Sequence, residues 1–232
     1  MKNILIICAM QEELDAVLDS FKKSYETIKI KNFTYYKFIH NKFIVYLVLS
    51  GIGKVNAALV TQFMVDRILP EYVFNIGVAG CLVDNLKFGD IVIASSLVQH
   101  DVNVAAFDLP LGQIPRMDVF DFKPNEYLLS IAAKIKQQIP NINIGRIVSG
   151  DQFIDDRATA EFLRTQFSAL ACEMEGAAIA HVCYFNDIPC LVIRSLSDLS
   201  GLENNANHSF LELKQMASDH AAKVAPILLA HL

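Results

Sequence analysis

Asn3-Ile4-Leu5-Ile6-Ile7-Cys8-Ala9-Met10-Gln11-Glu12-Glu13 is the stretch on which the fold turns. A continuous apolar run bounded by polar residues fits a short strand buried on both faces of a sheet. Acidic residues follow at once, with Leu14, Val17, Leu18 and Phe21 at helical spacing. This predicts a helix over residues 11–23 whose first turn carries the negative charges that the helix dipole favours. The same alternation continues outward. Residues 34–39 and 43–48 are rich in β-branched and aromatic side chains, and the polar link His40-Asn41-Lys42 between them predicts an antiparallel hairpin. Ser50-Gly51-Ile52-Gly53-Lys54 then turns the chain into a helix that Pro70 stops. Further strands are expected at residues 73–76, 90–97, 143–148, 169–172 and 189–196, and helices at about residues 125–138, 157–167, 175–185 and 209–230. The expectation is an α/β fold, a sheet sandwiched between helical layers with a hairpin adding antiparallel pairing, in a single domain over residues 1–232. The least regular stretch, residues 100–122, carries Pro110, Gly112 and Pro115; a long ordered loop of this kind is usually functional or at an interface.

Composition narrows the classes. Of 232 residues, 53% are apolar and 19% charged, with 20 basic against 25 acidic residues. A chain of this length buries a core without staples, and its apolar fraction with a net charge of only −5 excludes disorder. No Lys/Arg run occurs, which argues against a nucleic-acid partner. No apolar run approaches the roughly 18–20 residues of a membrane span, and the first is too short for a signal-peptide core. The cysteines (Cys8, Cys81, Cys172, Cys183 and Cys190) are odd in number, form no C-x-x-C pair and sit in apolar surroundings, as buried thiols of a reducing compartment do. A cytoplasmic protein is expected.

In open α/β sheets ligands collect beyond the strand ends. Four predicted strand ends carry suggestive residues: Met10–Glu13, Gly77–Gly80, Glu173–Glu175 and Arg194–Asp198. The glycine turns fail the nucleotide fingerprints. A phosphate loop ending at Gly53-Lys54 needs Gly at Val48 and Ser or Thr at Val55, and a dinucleotide turn starting at Gly51 needs Gly at Asn56. Tight turns and backbone cradling of a polar ligand both fit these glycines. Each carboxylate alone fits a helix-end charge or a cap. Gathered on one rim, buried acids would have separated pKa values, the arrangement that acid/base chemistry needs. The histidines show no metal-ligand spacing, and there is no G-x-S-x-G elbow. Phe153, in Ser149-Gly150-Asp151-Gln152-Phe153-Ile154, is either core or a stacking platform.

Six segments together resemble the 5'-methylthioadenosine/S-adenosylhomocysteine nucleosidases of the nucleoside phosphorylase superfamily, in order and over essentially the whole chain. They are Ala9-Met10-Gln11-Glu12-Glu13, Ser50-Gly51-Ile52-Gly53-Lys54, Gly77-Val78-Ala79-Gly80, Val148-Ser149-Gly150-Asp151-Gln152-Phe153, Glu173-Met174-Glu175-Gly176 and Arg194-Ser195-Leu196-Ser197-Asp198. The resemblance implies a three-layer α/β/α domain around a central mixed sheet. It implies an enzyme that hydrolyses the N-glycosidic bond of 5'-substituted adenosines and needs no cofactor and no metal. Candidate substrates are 5'-methylthioadenosine, S-adenosylhomocysteine, 5'-deoxyadenosine and 6-amino-6-deoxyfutalosine.

Residue roles follow from the same resemblance. Glu13 would activate water, Asp198, oriented by Ser197, would protonate N7 of adenine, and Arg194 would hold the water network. Glu175, beside the Met174 backbone, would accept from the ribose hydroxyls; Phe153 would stack on the purine and the Ile154 backbone would read its edge. Met10, Ile52, Val104 and Phe210 would line the 5' pocket, with the Val78, Ala79 and Gly80 turn adjoining the substrate. A homodimer is implied, in which Phe107, Leu109 and Pro115 close the neighbour's 5' pocket. Two positions bear on the chemistry. Val78 stands where many members have Ser, so a hydroxyl that would seat the water is missing. Asn75 stands where related phosphorylases carry an Arg, without which a phosphate dianion lacks its fork of donors. A phosphate-dependent phosphorylase and a non-catalytic adenosine-binding module are the alternatives; the carboxylates argue against the second, because buried acids cost stability.

Overall fold

Strand β1 (Lys2–Cys8) sends alternate side chains into two different cores. Ile4, Ile6 and Cys8 pack with Leu14 of α1 (Gln11–Phe21), Leu128 of α3 (Glu126–Gln138), Ala221 of α6 (Ala206–Ala222) and Leu228 of α7 (Val224–His231). Leu5 and Ile7 pack on the other side with Val60 of α2 (Lys54–Ile68) and Ile179 of α5 (Gly176–Phe185). Both faces are apolar because helices cover both, which is why the strand is a run and not an alternation. The computed structural model describes residues 1–139, 141–198 and 206–232, with side chains in the last segment from residue 213 onward.

Among the described residues the other strands are β2 (Glu26–Ile30), β3 (Phe33–His40), β4 (Phe43–Leu49), β5 (Tyr72–Cys81), β6 (Ile91–Gln99), β7 (Ile142–Ser149), β8 (Ala169–Glu173) and β9 (Cys190–Asp198). They form one mixed sheet in the order β2-β3-β4-β1-β5-β8-β7-β6-β9. β1 lies parallel to β4 and β5, and the hairpin β3–β4 is antiparallel as expected. β9 also pairs in parallel with β5 over Val73–Gly80, so β5, β8, β7, β6 and β9 close into a ring. The ring closes where β5 shifts register between Ala79 and Gly80 and then pairs Gly80 and Cys81 with Cys172 and Ala171. Small residues at 77, 79 and 80 let the strand bend there. Helix α4 (Arg157–Phe167) starts from Asp156, whose carboxylate accepts from the Thr159 N–H.

Two elements differ from expectation. β2 is an edge strand whose exposed positions include Glu26, Thr27 and Lys29, so it lacks the apolar run that marks the others; charge on an edge blunts further pairing. The C-terminal helix is two helices broken at Lys223, because Pro226 has no N–H to give the Ala222 carbonyl. All five cysteines are buried and free. Among the described residues, no helix is long and apolar enough to cross a membrane.

Candidate active site

The ends of β1, β5, β8 and β9 surround a cavity of about 280 Å³. Met10, Glu13, Ile52, Val78, Ala79, Gly80, Phe153, Ile154, Met174, Glu175, Ser197 and Asp198 all line it. All four predicted strand ends therefore reach one site. Ala9, Gln152, Cys172 and Glu173 line it as well. Val104 does not: it lies half-buried, just before a single 3-10 turn at Ala105–Phe107. The expectation that it walls this cavity is corrected to that extent. Phe107 is 78% exposed, Pro115 is exposed and Leu109 half-buried, and none lines this cavity. The Phe210 side chain lies outside the described residues.

Glu13 sits in the first turn of α1, and its Oε2 accepts the Ala9 N–H at 2.8 Å and the Met10 N–H at 3.0 Å. Met10 is the residue before the helix, so the carboxylate reaches back as the acidic half of a capping box. Its Oε1 accepts the Val78 N–H at 2.9 Å. Burial pushes the carboxyl above its ordinary value, and Arg194 with these three N–H groups works the other way. Asp198 closes β9, is 5% exposed, and its Oδ1 accepts the Ser197 hydroxyl at 2.8 Å.

Beneath the cavity, Arg194 is wholly buried and does not line it. Its Nη2 donates to Asn75 Oδ1 at 2.5 Å and to Glu173 Oε2, and lies 3.5 Å from Glu175 Oε2. Burial alone would lower its pKa; Glu173, Glu175 and Glu13 outweigh that and hold the guanidinium charged. One cation cannot neutralise three buried acids. The surplus charge emerges at Glu175: burial and then Glu173 push its carboxyl up to about 8, against Arg194 and a 2.8 Å hydrogen bond from the Gly53 N–H.

Three residues do work here that their sequence positions did not disclose. Glu173 binds Arg194, takes the Ser149 hydroxyl on Oε1, and accepts the Glu175 and Gly176 N–H groups at 3.0 and 2.7 Å. It thus orients the start of α5 and the guanidinium together. Asn75, fully buried, donates its amide N–H to the Ile7 carbonyl at 3.0 Å and accepts on its oxygen from Arg194, so it is a support of the guanidinium and not a ligand group. Gly77 is the third: a Cβ there would collide with both Arg194 Nη1 and Glu13 Oε1. Only the Gly-x-x-Gly pattern hinted at this. Among the described residues no group of three or more His, Cys, Asp or Glu side chains could hold a metal ion.

A partly closed mixed sheet with helices on both faces and carboxylates gathered at its strand ends defines an α/β enzyme of the phosphorylase type. The family model for the phosphorylase superfamily matches residues 3–232. A 5'-methylthioadenosine/S-adenosylhomocysteine nucleosidase of Geobacillus sp. (strain WCH70) is 40% identical over 233 residues, covering 99% of each chain. An aminodeoxyfutalosine nucleosidase of Helicobacter pylori (strain J99) is 40% identical over 225 residues, 96% of each. A solved Helicobacter pylori nucleosidase, an aspartate-to-asparagine mutant with 5'-methylthioadenosine in its active site, superposes with a TM-score of 0.94 at 35% identity, over 100% of both chains. The chain belongs to the 5'-methylthioadenosine/S-adenosylhomocysteine nucleosidase family of that superfamily, and is an enzyme.

Proposed function

We propose that this enzyme hydrolyses the N-glycosidic bond of 5'-substituted adenosines and releases adenine, acting on 5'-methylthioadenosine, S-adenosylhomocysteine, 5'-deoxyadenosine or 6-amino-6-deoxyfutalosine. The observation that carries this reading is that Glu13 and Asp198, both at least 95% buried, line the same cavity. A glycosidic bond breaks through an oxocarbenium-like transition state, so the purine must leave neutral and the sugar must be met by a nucleophile. Asp198, held by the Ser197 hydroxyl, delivers a proton to N7. Glu13 takes a proton from water as its oxygen forms the new bond to C1'. Each transfer is worth roughly 10²–10⁴ in rate. The base works ionised, and its pKa is raised, so activity falls as pH drops through that value.

The remaining side chains bind and orient. Glu175 accepts from the ribose hydroxyls, which matters most if those bonds tighten as the ring becomes cationic. Phe153 stacks on the base and the Ile154 backbone reads its edge. Met10, Ile52 and Phe210 receive the 5' group, and Arg194 with Asn75 and Glu173 fixes the floor on which the water sits. The chain works as one domain and as a cytoplasmic homodimer in which Phe107, Leu109 and Pro115 close the partner's 5' pocket. No nucleic acid, membrane or cofactor takes part. The phosphate-dependent alternative is disfavoured because Asn75 has both ends of its amide engaged inside the protein.

The test is Asp198→Asn, which keeps shape and removes the acid. Turnover of 5'-methylthioadenosine should fall by at least about 10²-fold while calorimetry still detects nucleoside binding. Turnover near the wild-type rate would remove Asp198 from the acid role.

A further inference from the structure

Helix α2 begins from Gly53, which has no side chain to cap the first N–H groups, so their acceptors must come from elsewhere. Two carboxylates supply them. Glu175 Oε1 takes the Gly53 N–H and Asp151 Oδ1 takes the Lys54 N–H, each at 2.8 Å. Gly53 has φ +97°, and a Cβ on it would stand 3.1 Å from Asp151 Oδ1, so the approach is built around a glycine. Asp151 is itself held: its N–H donates to Asp101 Oδ2 at 3.0 Å. Asp101 Oδ1 receives Lys54 Nζ at 2.5 Å, and the same ammonium reaches Gln99 Oε1 at 3.2 Å. The chain of bonds closes on itself, from Lys54 to Asp151 to Asp101 and back to Lys54. The Lys54 and Asp101 side chains are only 16% and 20% exposed, which makes this ion pair less screened than a surface one.

None of these three residues lines the cavity, yet their neighbours Ile52, Gln152 and Phe153 do. We propose that Lys54, Asp101 and Asp151 are positioning residues, a closed clamp that holds the Gly53 N–H on Glu175 and sets the spacing between the Ile52 and Phe153 walls of the nucleoside site. This rests on the nucleosidase reading of that site. The clamp acts on the ribose and base end of the cavity, whereas Glu13 and Asp198 are placed by α1 and β9. Losing it should therefore cost affinity more than chemistry. It should also leave a mark on pH dependence. Glu175 faces Glu173 from β8, Arg194 from β9, Glu13 from α1 and the Gly53 N–H from α2; of these, only the N–H depends on the clamp. An N–H given to a carboxylate favours its ionised form, so its loss moves the ionisation of Glu175 to higher pH.

Asp151→Ala should raise KM for 5'-methylthioadenosine about tenfold, the scale of one hydrogen bond to a charged group, with kcat within about twofold of wild type. The acid limb of its kcat/KM profile should move to higher pH. Asp151→Asn keeps the Oδ1 acceptor and should return KM and the limb close to wild type. Lys54→Met, which leaves the backbone bonds possible but frees Asp101, should shift both in the same direction as Asp151→Ala, and reads the clamp even if Asp151→Ala does not fold. Wild-type KM and pH profile in either disrupted variant, or equal damage from Asp151→Asn and Asp151→Ala, would overturn the clamp. Wild-type protein that releases no adenine would instead overturn the activity on which it rests.

Discussion

Arg194 is the side chain around which the other charged groups arrange themselves, and Gly77 is what lets it. The guanidinium and Glu13 both occupy the space that any Cβ at residue 77 would need. Gly77→Ala should therefore displace one or both, at about 1–3 kcal/mol of stability and with a larger loss of kcat, because small misplacements of a reacting group are costly. Thermal unfolding and steady-state rates measure the two; a folded Ala variant with wild-type kcat would show that this approach is not needed. At this scale the sequence was legible in part. Glu13, Glu175 and Asp198 stand at apolar strand ends and belong to motifs with a family resemblance, so their convergence could be expected. Glu173 stands in the same motif as Glu175, but the hold that it and Asn75 have on Arg194 spans 21 and 119 positions and leaves no local pattern.

Two helix N-termini bring an acid to the cavity, α1 through Glu13 and α5 through Glu175, and the start of α2 gives its Gly53 N–H to Glu175. Their positive ends ease the gathering of acids there, but not enough to keep Glu175 at its ordinary value. Its carboxyl moves from 4.5 in the unfolded chain to about 8 in the folded one, so the folded state binds more protons across that window. Stability is then lost as pH rises from about 4.5 to about 8. Glu175→Gln removes that loss, and its thermal midpoint should exceed wild type at pH 9 and converge on it toward pH 5.5. A gap that does not change with pH would contradict this. The elements themselves were mostly legible, since buried runs and turn residues mark them. β2 is not, because an exposed, charged edge strand carries no apolar signal, and Pro226 breaks what reads by its apolar pattern as one last helical stretch.

Across the whole molecule, β5 ties the halves together: one edge pairs with β1 and the other with β9, and its end turns to β8. That ring closure brings residues 80, 173 and 198 to one rim, and no periodicity of the sequence announces it. Phe107 and Pro115 are exposed and Leu109 is half-buried, none of them lines this chain's cavity, and in the proposed dimer they close the pocket of a neighbouring copy. Light scattering should find a particle of two 25.8 kDa chains, and a fully active monomer would contradict the shared pocket. In the proposed reaction the nucleophile is water, activated by Glu13 while Asp198 protonates the adenine. Purified protein incubated with 5'-methylthioadenosine in phosphate-free buffer distinguishes water from phosphate as the attacking group. Adenine and free 5-methylthioribose should appear at a rate that added phosphate does not raise; release that requires phosphate and yields the sugar 1-phosphate would show that phosphate, and not water, attacks C1'.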